Sequence, residues 1–283
     1  MKKEATNPNI DCISLRRELD THKGSYGKIL IAAGSLGMCG AAILAAKGAY
    51  RSGAGVVYVT IPKELFPTIH CGVCEAVLVH REIPLPKLND YQAIAIGPGI
   101  GQGEDTKGFL NYVISTYKGP LVLDADALNV LADAHDYSLL KEYQGPLILT
   151  PHPGEAQRLL HMSLEEYKSF PRQEIAFNLV KLTGAIVVLK GWDTLIANQE
   201  GIIKTNTTGN PGMATGGTGD VLTGIITALL GRGVTPFDAA TFGAYVHGLA
   251  GDIAAEDLGM TSMIAGDLIE YLPKAFMEIE RRS

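Results

Sequence analysis

The chain has 283 residues, 46% hydrophobic and 19% charged, with a formal net charge of −6. That length and balance suit a soluble protein with a substantial buried core, and without a lysine or arginine cluster they exclude a nucleic-acid partner. No apolar stretch reaches the roughly 18 residues of a membrane span. The opening "MKKEATNPNIDC" has no apolar run behind its two lysines, so no secretory leader is read and the cytoplasm is the expected compartment.

In chain order, "KILIAAGS" (28–35), "VVYVTIP" (56–62), "AIAIG" (93–97), "PLVLDAD" (120–126), "PLILTP" (146–151) and "AIVVLKG" (185–191) read as buried strands. Between them "GAAILAAKGAYRSG", "TKGFLNYVIST" and "RQEIAFNLVKLTG" carry apolar residues at helical spacing. Near-continuous apolar strands separated by helices imply parallel βαβ units covered on both faces. "TLIAN" and "GIIKTN" suggest an antiparallel hairpin, and from residue 217 onward the pattern is all helix. No linker or repeat divides the chain, so 1–283 is read as one α/β domain. Of Cys12, Cys39, Cys71 and Cys74, only Cys71 and Cys74 form a C-x-x-C, beside His70. A structural zinc site wants a second such pair, so incidental reduced thiols are favoured over a metal.

Ligands of parallel sheets gather at the carboxyl ends of the strands. The polar punctuation falls there: "GSLGMCG", "GPGIG", "DADALN", "TPHPGE" and "KGWDT" each follow a predicted strand. Any one of them could be an ordinary turn or helix cap, but their common register favours one continuous rim. The chain lacks G-x-x-x-x-G-K-[ST], and "GPGIGQG" has Gln102 where a dinucleotide fingerprint wants glycine. "GGTGD" before "VLTGIITALL" is a different device. Gly217, Thr218 and Gly219 stand at the amino end of a helix that ends near "GRG" (231–233), where free N–H groups make an anion hole. Asp220 follows in the first turn. It is either a helix-stabilising acid or, as favoured, a general base beside a phosphoryl group.

The segments "KGSYGKILIAAGS", "MCGAAILAAKGAYRSGAG", "AIAIGPGIG", "LDADALN", "LTPHPGEAQRLL", "VVLKGWDTLIA" and "NPGMATGGTGDVLTGIITALL" resemble the ADP/ATP-dependent NAD(P)H-hydrate dehydratases of the ribokinase-like superfamily, over roughly residues 22–275. The resemblance implies a ribokinase-like fold and a hydro-lyase that uses ADP or ATP with Mg²⁺ to restore NADH or NADPH from its hydrate. It implies Asp220 as the base that deprotonates the substrate hydroxyl. Ala41, Gly99 and His152 would join Asp220 in contacting the hydrated nucleotide. Lys190, Gly191, Trp192, Asp193, Thr194 and Gly219 would contact AMP or ADP. Too few residues precede the match to hold the epimerase domain found in many relatives, so a stand-alone enzyme with a separate epimerase partner is expected, as is a homotetramer. His152 stands where related kinases often carry asparagine, while Glu155 keeps a carboxylate that helps organise Mg²⁺ through water. As alternatives, Lys190 could be a solvated strand-end lysine, His152 a loop histidine and Glu155 a helix cap. Asp124 and Asp126 could orient Mg²⁺ or cap the next helix. A sugar or vitamin kinase of the same superfamily is the competing reading, weakened because vitamin kinases usually carry cysteine at the position of Asp220 and sugar kinases lack "HPGE".

Overall fold

Each predicted apolar run becomes a strand in the computed structural model, which describes residues 20–282. Cys12 and the segment read for a leader lie outside the described residues. Strands β1 (Lys28–Ala32), β2 (Val56–Ile61), β3 (Val77–His80), β4 (Ala93–Ile96), β5 (Leu121–Leu123), β6 (Leu147–Leu149), β7 (Ile186–Leu189), β8 (Thr194–Ala197) and β9 (Ile203–Asn206) form one sheet. Its order is β3-β2-β1-β4-β5-β6-β7-β8-β9. The pairs from β3 to β7 are parallel. The predicted hairpin adds β8 and β9 antiparallel at the far edge. β3 was not foreseen; it pairs with β2 in the register Tyr58↔Val77.

Side chains alternate across the pleat, so successive residues of one strand feed two different cores. Ile29 and Ile31 face the layer of α1 (Cys39–Arg51), α9 (Thr218–Gly231), α10 (Pro236–Leu258) and α11 (Ala265–Arg282). Leu30 and Ala32 face the layer that includes α3 (Glu104–Thr116), α4 (Asp126–Ala134), α6 (Pro153–Leu159) and α8 (Arg172–Thr183). Two-sided burial is what the near-continuous apolar strands require. Of the described helices, none is long and apolar enough to cross a membrane.

Two features of this frame place the site. The chain builds β1, β2 and β3 outward in one direction, then returns to lay β4 on the other side of β1, which opens a crevice at the carboxyl ends of the strands. Second, α9 lies backbone-to-backbone on α1: a Cβ on Gly224 would sit 2.0 Å from the Ala45 carbonyl oxygen. Only glycine permits that approach, and it fixes where the amino end of α9 points.

Candidate active site

The amino end of α9 opens from Gly217, held in the left-handed region at φ 93°. A side chain there would be strained, and its Cβ would lie 2.4 Å from Leu44 Cδ1. Thr218 closes the preceding loop by donating its hydroxyl to the carbonyls of Met213 and Thr215, each at 3.1 Å. Its hydroxyl is thereby committed, so what this turn offers an anion is backbone N–H groups. Gly219 is helical rather than left-handed, and its bareness serves space: a Cβ would come within 3.2 Å of Lys190 Nζ.

Asp220 stands in this turn, half-buried, with Asp124, Lys190 and Glu155 as its charged neighbours. Burial pushes its carboxyl up to about 7; Asp124 reinforces the rise and Lys190 opposes it. Asp124, at the end of β5, is 1% exposed, with Oδ1 2.7 Å from Lys190 Nζ and Oδ2 accepting a 2.7 Å hydrogen bond from Thr223 Oγ1. Lys190 follows β7, and its Nζ is 3.9 Å from Glu155 Oε2. Burial works against its charge, but Asp124 and Glu155 outweigh it and hold the ammonium above its ordinary value. Burial also raises Glu155 to about 7, with Lys190 opposing. Ala125, between Asp124 and α4, has φ 49° and ψ −118°, an unusual backbone for a residue with a Cβ. Such strain clusters at functional sites, and here it falls between the two aspartates of "DAD".

His152 is the amino cap of α6. Its Nδ1 accepts from the N–H of Gly154 at 2.9 Å and of Glu155 at 3.3 Å, while Glu155 Oε2 accepts from the His152 N–H at 2.7 Å. This reciprocal box shows what histidine and glutamate do locally at "HPGE". Burial and then Lys190 lower the imidazole pKa, so the ring is neutral at neutral pH. The loop after β7 is held from below: Arg172, opening α8, donates to the carbonyls of Trp192, Leu189 at 3.1 Å and Lys190 at 3.2 Å. Trp192 itself is 74% exposed on the rim.

One cavity of about 640 Å³ gathers most of the predicted residues. Asp124, His152, Glu155, Lys190 to Thr194, and Gly217 to Asp220 all line it. Ala41 and Gly99 are not in its wall. They adjoin one another on the side of β1 and β4, where a Cβ on Gly99, at φ 58°, would meet Ala41 Cβ at 3.0 Å. Asp126 reaches that side too, accepting from the Gly101 N–H at 2.9 Å and from Gln102 Nε2 at 2.8 Å. So neither carboxylate of the "DAD" segment caps α4. One holds Lys190 and the other holds the glycine loop after β4.

Three contributors escaped the sequence reading. Thr223 lies one turn beyond Asp220 and grips Asp124. Asp252 of α10 accepts from the Gly209 N–H at 2.8 Å and Asn210 Nδ2 at 3.0 Å, fixing the far wall. His247, on the same helix, lines the cavity with Nε2 2.9 Å from the Thr218 carbonyl. The available signal was two polar side chains in the otherwise apolar run "FGAYVHGLAGD".

Among the described residues, no group of three or more His, Cys, Asp and Glu side chains could hold a metal. Both oxygens of Asp124 are engaged by Lys190 and Thr223, and Glu155, a buried carboxylate on the cavity wall, already accepts from the His152 N–H. That is no protein cage, but it suits Mg²⁺ that arrives on nucleotide phosphates and keeps most of its waters. Cys71 and Cys74 are exposed free thiols at and just past the end of α2 (Phe66–Gly72).

The chain is 41% identical to the bifunctional NAD(P)H-hydrate repair enzyme Nnr of Moorella thermoacetica, over 94% of this chain and 52% of that protein. It thus spans about half the length of that relative. It is 35% identical to the ADP-dependent (S)-NAD(P)H-hydrate dehydratase of Bacillus subtilis, over 97% of this chain and 98% of that one. A crystal structure of ADP/ATP-dependent NAD(P)H-hydrate dehydratase from Bacillus subtilis, co-crystallized with ATP/Mg²⁺, superposes with a TM-score of 0.86 at 33% identity, covering 95% of this chain and 96% of that one. The fold is ribokinase-like. With residues 29–274 matched by the NAD(P)H-hydrate dehydratase family, the chain belongs to that family.

Proposed function

We propose that the chain dehydrates the S form of hydrated NADH or NADPH, using ADP or ATP as phosphoryl donor with Mg²⁺. The products are NAD(P)H, phosphate, and AMP or ADP. The observation that carries this reading is Asp220: a carboxyl poised near neutrality, beside a lysine ammonium, at a helix amino end whose side chains leave the amides bare. A base must be unprotonated at working pH yet basic enough to take a hydroxyl proton, and a pKa of about 7 meets both needs.

Hydroxide is a poor leaving group from C6 of the hydrated ring, and phosphate is a good one. Asp220 takes the proton of the C6 hydroxyl as that oxygen bonds to the terminal phosphorus and the bond from phosphorus to the nucleoside phosphate breaks. The amides of Thr218 and Gly219 and the Lys190 ammonium meet the negative charge of the transferring group. The C6–O bond then breaks with release of phosphate, pushed by the lone pair of the ring nitrogen. Loss of a C5 proton from the resulting iminium restores the double bond. Bound Mg²⁺ would neutralise phosphate charge, with Glu155 reaching it through water. The loop of Lys190 to Thr194 receives the nucleotide, and the hydrate enters from the side of Ala41, Gly99 and His152.

The same reading makes residues 1–283 one catalytic domain in the cytoplasm, assembled as a homotetramer and served by an epimerase activity that supplies the S form. Light scattering on the eluting protein tests the assembly. The decisive assay is recovery of dihydronicotinamide absorbance from chemically prepared hydrate with ADP, with ATP and with neither. A stable phosphorylated product, or no nucleotide dependence, would defeat the proposal.

A further inference from the structure

His247 belongs to no nucleotide or substrate contact in the proposal above, yet it sits in the wall of the same cavity. It projects from the middle of α10, a helix whose neighbouring residues Phe242, Ala244, Val246 and Ala250 are buried and apolar. Its Nε2 lies 2.9 Å from the carbonyl oxygen of Thr218. A carbonyl only accepts, so Nε2 carries the proton and donates. Burial pushes the imidazole pKa down to about 4, opposed by the Thr218 carbonyl and helped by Lys190, so the ring is neutral and has a single proton. That proton is committed to Thr218.

The Thr218 carbonyl and the Gly219 N–H belong to one peptide unit, joined by resonance across a planar bond. A donor placed on the carbonyl draws electron density through that unit, makes the N–H a stronger donor and fixes the plane in which it points. We propose that His247 is the positioning residue of the anion hole, orienting and polarising the Thr218–Gly219 peptide so that the Gly219 N–H meets the transferring phosphoryl group. Histidine suits this place because it is stiff, reaches across from another helix and stays uncharged beside Lys190. A lysine or arginine donor would bring a second cation next to the first.

The kinetic arm of the test rests on the dehydratase reading, while the spectroscopic arms use the free protein. In wild type, nitrogen-15 histidine spectra should show His247 protonated at Nε2 and bare at Nδ1; the opposite tautomer overturns the proposal whatever the variants do. His247→Leu removes the donor, and the Gly219 amide proton should move upfield, with calorimetry showing weaker ADP binding. His247→Gln, whose amide can reach the same carbonyl, should restore both. In turnover, His247→Leu should lower kcat about five- to tenfold with KM for the hydrate nearly unchanged, because strengthening by one coupled hydrogen bond is a fraction of a whole anion-hole donor. An unmoved Gly219 resonance, or a glutamine variant as impaired as the leucine one, overturns it. If wild type fails to turn over hydrate, the dehydratase reading falls while the tautomer and the amide shift still decide the role of His247.

Discussion

Replacing Asp220 by asparagine should cripple catalysis and strengthen the fold, and the second effect should depend on pH in a definite sense. The carboxyl has an ordinary value of 3.8 and is raised to about 7, mainly by burial and then by Asp124. Between those limits the folded protein holds a proton that the unfolded chain releases. The folded state binds more protons, so stability falls as pH rises from about 4 to about 7 and stays lowered above that. Three units at about 1.4 kcal/mol each set an upper bound of about 4 kcal/mol, and water reaching a half-buried group reduces it to about 2–3 kcal/mol. Asparagine has nearly the same shape and never ionises. Asp220→Asn should therefore match wild type in urea unfolding below pH 4 and exceed it by that margin at pH 8. Turnover should fall at least about a hundredfold, since a positioned base is worth roughly 10²–10⁴ in rate. The acid limb of the wild-type kcat/KM profile near pH 7 should vanish from the residual activity. Equal stability of the two proteins at pH 8, or near-normal turnover, would refute the reasoning.

His152→Ala should raise KM for the hydrate about ten- to a hundredfold with KM for ADP nearly fixed, but it also strips a helix cap worth about 1 kcal/mol. His152→Asn keeps an acceptor for the Gly154 N–H, so steady-state kinetics should show the hydrate defect persisting in it while the thermal melt returns to normal. Recovery of the hydrate KM in that variant would reduce His152 to a cap. Gly219→Val places branched carbons where Lys190 Nζ now sits 3.2 Å from the bare position, so calorimetry should show AMP binding lost from a protein that still melts cooperatively. Thr223→Val leaves a buried oxygen of Asp124 without its donor and should cost about 1–3 kcal/mol in urea unfolding.

The residues that declared themselves in the sequence did so through local physics. Two-sided burial writes apolar runs, and strand ends write glycine, aspartate, histidine and lysine. The left-handed entry to α9 requires a glycine at 217, which the string "GGTGD" displays. β3 was missed because it is an edge strand, "VLVH", with exposed ends and a half-buried middle, and its pairing with β2 supplies what its own pattern lacks. The roles of Asp124, Thr223 and His247 were hidden for another reason. Lys190 meets Asp124 across 66 positions and Thr223 meets Asp124 across 99, so no window of sequence contains the pair. The capping role of His152 and Glu155 was legible as an alternative, and the geometry realises it without removing either residue from the cavity wall.

Three carboxyls, Asp124, Glu155 and Asp220, crowd one ammonium at Lys190. A single positive charge cannot serve three negative ones in a buried site, so position decides the division. Asp124 takes the direct 2.7 Å contact and a hydroxyl donor as well. Glu155 has the longer 3.9 Å contact and the His152 N–H. Asp220 acts least on that ammonium, and its carboxyl, like that of Glu155, is raised to about 7, near the pH at which a base is useful. A phosphoryl group entering beside Lys190 brings still more negative charge to the same ammonium, which makes Asp220 readier to accept a proton at the moment a hydroxyl is held in front of it. On the proposed mechanism, Lys190 would link nucleotide and base electrostatically, because the anion hole and Asp220 share one ammonium.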